Sequence, residues 1–167
     1  MATTNSRSGR WVSRSATTGR LARTPKRGTR FLIDTSVWAR LATTPEVVKE
    51  LKKFVELVSP MDLLVCPPAA VEYGFTAPTP KAHAAVTEQL KAFGQCDVHP
   101  THEEVLDIQS RLWNGGLLRA AGATDTLIAA YAIKNDAAVL HYDRDFEHIA
   151  AVAPAFSHRW ILPRGSI

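Results

Sequence analysis

The sequence predicts an α/β fold built on an open parallel sheet, and three observations carry that expectation. Short apolar runs of strand length, Phe31-Leu32-Ile33, Leu63-Leu64-Val65-Cys66 and Ala137-Ala138-Val139-Leu140, alternate with longer segments of helical periodicity. The first run rises to Asp34 and is followed at once by Thr35-Ser36 and Val37-Trp38-Ala39-Arg40-Leu41, so a buried strand ends in a carboxylate where a helix begins. Three later segments set acids in a similar frame. In an open α/β sheet such junctions lie at the carboxyl edge of the strands, where ligands usually bind.

With 167 residues the chain is long enough for one domain with a real core. Its formal charge of +4 conceals two opposite parts. Residues 1–30 hold eight basic residues and no acid, whereas the remainder holds 12 basic against 16 acidic residues. The front segment is also rich in Ser, Thr and Gly and poor in apolar residues, so residues 1–29 are expected to be a basic, disordered N-terminal extension and residues 30–167 the folded domain. Such a tail can hold phosphates, pack on the acidic body, or be dispensable. It shares Arg and Ser richness with organellar targeting peptides but lacks a convincing amphipathic helix. Trp11 offers one ring for stacking on a base.

No stretch approaches eighteen consecutive apolar residues, which argues against a membrane span. Cys66 and Cys96 have no CxxC partner and sit in apolar segments, pointing to free buried thiols in a reducing, cytoplasmic setting; a single disulfide is the alternative.

Beyond the first strand, Val47, Leu51, Phe54, Val55 and Val58 recur at helical spacing between Pro45 and Pro60, opposite a charged face. Asp62 to Cys66 reads as the second strand. Pro67-Pro68 then opens a helix that places Glu72 near its start, where a glutamate also suits the helix dipole. A Pro-rich turn at 76–80 leads to a helix from Lys81 to about Phe93, with Ala85, Leu90 and Phe93 inward and Gly94 as its stop. Gln95 to Val98 is a short strand. Thr101 and Glu104 form a capping box for a helix through Ile108 and Leu112, ended by Asn114-Gly115-Gly116. Arg111, Trp113 and Arg119 flank that break and form a candidate substrate-facing rim. Gly122 breaks the chain again, Thr124 can cap, and Asp125 enters the first turn of an alanine-rich helix whose small residues at 129, 130 and 132 permit close packing on a sheet. After a turn at Asn135-Asp136, the strand 137–142 ends at Asp143-Arg144-Asp145.

Asp34, Glu72, Asp125 and Asp143 therefore each fall at a strand end or helix start, far apart in sequence but expected along one sheet edge. Four carboxylates gathered there repel one another unless a cation lies between them. Oxygen donors suit Mg²⁺ or Mn²⁺, and two such ions can activate water for phosphodiester hydrolysis. His83, His99 and His102 lie in no HExxH pattern and read as surface or capping residues; no histidine is placed as a general base and no thiolate as a nucleophile. A dehalogenase-type phosphatase wants a second acid two residues after its strand-end Asp, where this chain has Ser36. A nucleotide-binding protein wants a Gly-rich phosphate loop, and none follows the first strand.

Taken in order, Phe31-Leu32-Ile33-Asp34-Thr35-Ser36, Glu72 after a proline-led helix start, Thr124-Asp125-Thr126-Leu127-Ile128-Ala129-Ala130 and His141-Tyr142-Asp143-Arg144-Asp145-Phe146 resemble the PIN-domain ribonucleases, most closely the VapC toxins of type II toxin-antitoxin pairs. The resemblance covers residues 30–163, so the basic segment stands in front of it. It implies an αβα sandwich with a central parallel sheet of about five strands, a homodimer, a Mg²⁺- or Mn²⁺-dependent endoribonuclease acting on RNA, and inhibition by a VapB-type antitoxin. It further implies that Asp34, Glu72, Asp125 and Asp143 are the catalytic, metal-binding acids and that Ser36 supports them from behind. Asp145 either joins the metal or fixes the turn. A catalytically inactive PIN-fold RNA-binding or scaffold protein is the non-enzyme alternative.

Overall fold

The computed structural model describes residues 29–167, and the expectations for the basic tail fall on residues outside that range. The chain runs β1 (Arg30–Ile33), α1 (Thr35–Trp38), α2 (Pro45–Leu57), a 3-10 turn at Pro60–Asp62, β2 (Leu63–Val65), α3 (Pro67–Phe75), α4 (Pro80–Leu90), β3 (Gly94–Gln95), α5 (His102–Asn114), α6 (Ala123–Lys134), β4 (Ala137–His141), α7 (Asp145–Val152) and β5 (Ser157–Trp160). All five strands are parallel, in the order β3-β2-β1-β4-β5. The expected αβα sandwich is the observed fold.

Alternation along the strands explains the two layers. Leu32, Leu64 and Val139 face one side, where they meet Ile108, Leu112, Ile128, Ala129, Phe146 and Ile149 from α5, α6 and α7. Their neighbours Phe31, Ile33, Leu63, Val65 and Leu140 face the other side and meet Val37, Trp38, Val47, Leu51, Phe54 and Leu90 from α1, α2 and α4. Strands buried on both faces need continuous apolar runs, which is why they were visible in the sequence. The alanines at 129, 130 and 132 are buried against the sheet as their size suggests.

Several local expectations are revised. Val55 is 40% exposed: it lies at the edge of the α2 stripe rather than within it. Ala85 is exposed too, and Val86 turns toward the core instead. The third strand is Gly94–Gln95 rather than 95–98, because the chain leaves β2's edge after Cys96 N–H reaches the Val65 carbonyl and Val98 pairs with the buried Asn135 amide. α4 ends at Leu90 with Lys91 as its C-cap rather than near Phe93, so Gly94 is a strand residue and not the helix stop; a Cβ there would overlap the Met61 carbonyl oxygen. Leu112 fills the core as expected, and Trp113 beside the break is 58% exposed. The capping box at Thr101 and Glu104 is present in both directions.

Cys66 and Cys96 are free and buried, one just past β2 and the other just past β3. Burial pushes their thiols up to about 12 and about 11. Among the described residues no helix is long and apolar enough to cross a membrane.

Candidate functional site

The strand order reverses between β1 and β4, since the chain builds outward from β1 through β2 to β3 and then returns to β4 and β5 on the other side. The crevice beyond the carboxyl ends of β1 and β4 is the switch point where open α/β sheets bind ligands. Asp34 leaves β1 there and Asp143 follows β4 there.

Asp34 caps α1: its Oδ2 accepts the Ser36 backbone N–H at 2.8 Å, while its own N–H donates to the Leu140 carbonyl at 3.0 Å, tying the carboxylate to both central strands. Only 4% of the residue is exposed. Burial raises its carboxyl from 3.8 to about 6, helped by the charge of Glu72 and opposed by the Ser36 and Thr35 hydrogen bonds.

Asp125 is the third residue of α6, as expected, but the cap is Gly122 and not Thr124. Because Asp125 Oδ2 accepts the Gly122 N–H at 2.9 Å, the acid itself closes the helix start, and the hydroxyl that helps is Thr126, which donates to the Gly122 carbonyl at 2.8 Å. Burial again raises this carboxyl to about 6, with further upward pressure from Asp34, Asp143 and Asp145. Asp143 accepts the Asp145 N–H at 3.0 Å through Oδ1, and Asp145 is itself raised by burial and by Asp143. Asp145 begins α7, which makes it a helix-start residue as well as a neighbour of the acids.

Glu72 differs from its expected place. It is the sixth residue of α3 and exposed, so it belongs to the second turn and the helix-dipole explanation for it lapses. Its side is nonetheless the acidic one, because Asp34 is the carboxyl that its charge raises. Ser36 Oγ accepts the Tyr142 N–H at 2.8 Å, which fastens the start of the Asp143 loop to α1.

Asp34, Asp125, Asp143 and Asp145 thus lie in one electrostatic field, which Glu72 joins through Asp34. Their donor set is all oxygen, which in kind suits a hard divalent cation, and Arg144 and His148 offset part of the charge at Asp145. Among the described residues, however, no three His, Cys, Asp or Glu side chains converge as a metal-holding group. A groove of about 560 Å³ between α5 and α6, lined by Ile108, Ala130, Ile133 and Ala153, contains none of the five acids. Charge and topology locate the site.

Lys134 at the end of α6 pairs with Glu104 near the start of α5 at 2.7 Å, and the rim residues Trp113 and Arg119 are exposed. Arg111 is committed to Asp107 at 2.7 Å. His83, His99 and His102 are exposed, with His99 against the Tyr131 hydroxyl and His102 against Glu103.

Sequence reasoning quoted His141 in the last motif but gave it no role. It is fully buried at the end of β4, where its Nδ1 accepts the Asp143 N–H at 3.1 Å and its Nε2 meets His158 Nδ1 at 2.8 Å. Burial and His158 depress its pKa to about 3, so it is neutral. The available signal was a polar residue closing an otherwise apolar strand, two positions before an acid.

Comparison with known proteins matches residues 31–152 to the PIN domain family. The chain is 32% identical over 139 residues to the ribonuclease VapC51 of Mycobacterium tuberculosis, covering 83% of this chain and 97% of that one. It is 26% identical over 140 residues to the ribonuclease VapC18 of the same organism, covering 82% and 98%. Among solved structures, the DNA-bound VapBC2 of Rickettsia felis superposes with a TM-score of 0.61 at 13% identity over 79% of this chain and 98% of that chain. The DNA-bound VapBC of Salmonella typhimurium superposes with the same score at 17% identity over 80% and 99%. These two likenesses bear on the fold.

Proposed function

Because the chain belongs to the PIN-domain family, within its VapC group, we propose that it is a divalent-metal-dependent endoribonuclease toxin of the cytoplasm, held in check by a VapB-type antitoxin. The observation that carries this reading is the gathering of Asp34, Asp125, Asp143 and Asp145 into one field at the switch point, with Glu72 acting on Asp34. Residues 30–167 form the catalytic domain in this reading, as a homodimer, and residues 1–29 a basic extension to it.

Asp34, Glu72, Asp125 and Asp143 would hold Mg²⁺ or Mn²⁺, with Asp145 at the margin. Once bound, such an ion supplies positive charge at the phosphoryl oxygens and acidifies water at neutral pH. The chain's own residues prepare for that. Asp34 and Asp125 are fixed by backbone N–H groups, so their carboxylates start from defined positions, and above about pH 6 both are charged. Ser36 holds the Tyr142 backbone and keeps the Asp143 loop against α1. The antitoxin would close the same edge with a basic side chain, whose guanidinium fork matches carboxylates.

Purified protein should cut RNA with Mg²⁺ or Mn²⁺, fall silent on chelation, and be inhibited by the product of an adjacent small gene. Sequencing of new RNA ends after brief induction would identify the target. Full cleavage in EDTA, with trace metal excluded, would overturn the mechanism. Metal binding with no cleavage of any cellular RNA would favour the inactive RNA-binding or scaffold alternative.

A further inference from the structure

The loop that carries Asp143 is held by two side chains, Ser36 and His141, and the resemblance gives a role to Ser36 alone. The Tyr142 N–H donates to Ser36 Oγ at 2.8 Å, and the next N–H, that of Asp143, donates to His141 Nδ1 at 3.1 Å. A backbone N–H has no lone pair to offer, so Nδ1 must be the unprotonated nitrogen. In the neutral ring the proton then sits on Nε2, aimed at His158 Nδ1 2.8 Å away, which accepts it. The direction of every bond follows: His141 gives to His158, Asp143 N–H gives to His141, and Asp145 N–H gives to the Asp143 carboxylate at 3.0 Å.

The ring has little freedom to turn. It is 0% exposed and packs on Phe146 and Trp160, with centroids 4.8 and 4.9 Å away. A buried imidazole is tolerated only when both nitrogens are satisfied, and here one of the two partners is the backbone of a proposed ligand. An apolar residue would fill the same space and leave the Asp143 N–H without its acceptor.

We propose that His141, with its tautomer set by His158, is a positioning residue that fixes the Asp143 carboxylate for metal binding and RNA cleavage. This rests on the nuclease reading above. Metal ligands are commonly oriented by such outer hydrogen bonds, whose loss weakens metal affinity by roughly 10- to 100-fold.

Nitrogen-15 NMR of the full chain tests the geometry directly. His141 Nδ1 should resonate as an unprotonated nitrogen and Nε2 as a protonated one; the opposite tautomer or a charged ring overturns the proposal. Three variants test the consequence. His141→Asn keeps an acceptor at the Nδ1 position, His141→Gln keeps one only at the Nε2 position, and His141→Leu keeps neither. Mn²⁺ affinity, read from free Mn²⁺ by electron paramagnetic resonance, should stay within about threefold for His141→Asn and weaken by about tenfold or more for the other two. A merely structural role predicts another order, since leucine fills the core and asparagine leaves a void; affinity that follows thermal stability in that order, or that is unchanged in His141→Leu, sinks the proposal. Should the buried variants fail to fold, His158→Phe at the half-buried partner must disturb the His141 tautomer and weaken Mn²⁺ binding; if it changes neither, the idea is equally lost. Wild-type protein that binds no Mn²⁺ overturns the nuclease reading and this inference with it. Wild-type binding matched by His141→Leu overturns this inference alone.

Discussion

Among the described residues, Asp34 and Asp125 are the carboxylates that burial raises to about 6, and that discomfort has a definite pH signature. Each carboxyl is raised from 3.8 to about 6, so the fold favours its neutral form. The stabilisation is complete below the ordinary carboxylate range and disappears as pH rises through about 6, above which buried negative charges face one another. For the metal-free protein, the stability of wild type relative to Asp34→Asn should therefore decline between pH 4 and pH 7. At pH 7.5 the variant should be the more stable, by about 1–3 kcal/mol for the two-unit shift. Asp125→Asn should behave alike but more weakly, being nearer to solvent. Asparagine can retain the hydrogen bonds from Ser36 and Gly122, so both variants should fold while losing RNA cleavage by orders of magnitude. Denaturant midpoints across pH in EDTA, set beside a cleavage assay, check this; equal cleavage by either variant would remove that residue from the centre. A divalent ion should reverse the stability order by neutralising the wild-type acids.

Short elements depend on single contacts, and β3 is the shortest strand. Its two residues lie against the 3-10 turn, with the Gly94 α-carbon over the Met61 carbonyl. Gly94→Ala should force that turn away and cost about 3 kcal/mol, a loss that urea unfolding would register; a midpoint like that of wild type would show that the turn yields freely. The same contrast between local and tertiary causes explains what the sequence disclosed. Continuous apolar runs betrayed β1, β2 and β4 because those strands are buried on both sides, and Thr101 with Glu104 betrayed α5 because a capping box is a local device. β5 escaped residue-by-residue reading, and β3 was read with the wrong bounds. Gly94–Gln95 takes its extension from pairing with Leu64 and Val65, and Ser157–Trp160 is a polar edge strand with no apolar run. Asp34, Asp125 and Asp143 were legible because each interrupts a pattern at an element's end. Glu72 was found but misplaced by a turn, since proline marks where α3 starts and not how far along an acid must stand to face Asp34. His141 was invisible in its role, because its partners at 143 and 158 meet it only in the folded sheet.

At the scale of the whole molecule, β1 separates the two charged parts of the chain. Its carboxyl end bears Asp34, whereas the basic segment joins the amino end, about 13 Å away along four residues. Removing residues 1–28 takes the net charge from +4 to −3, since seven of the 20 basic residues go with them and none of the 16 acids. If the tail holds phosphates, the shortened protein should bind RNA more weakly at low salt, with a shallower salt dependence and an unchanged cleavage position. Filter binding at several salt concentrations decides it, and equal affinity with equal slope would rule the contact out. The paired burial of Cys66 and Cys96 has a different consequence. Both sulfurs lie behind the surface and stay protonated at neutral pH, so an alkylating reagent must wait for the protein to open. Cys96 follows the edge strand and Cys66 an inner one, which makes the two labels report successive events: fraying of the sheet's margin, then rupture of its middle. Pulse alkylation followed by mass spectrometry should find Cys96 modified before Cys66, and a ligand of the folded chain should lengthen the second interval; simultaneous labelling would mean that the sheet opens as one unit, with the two thiols keeping a single time.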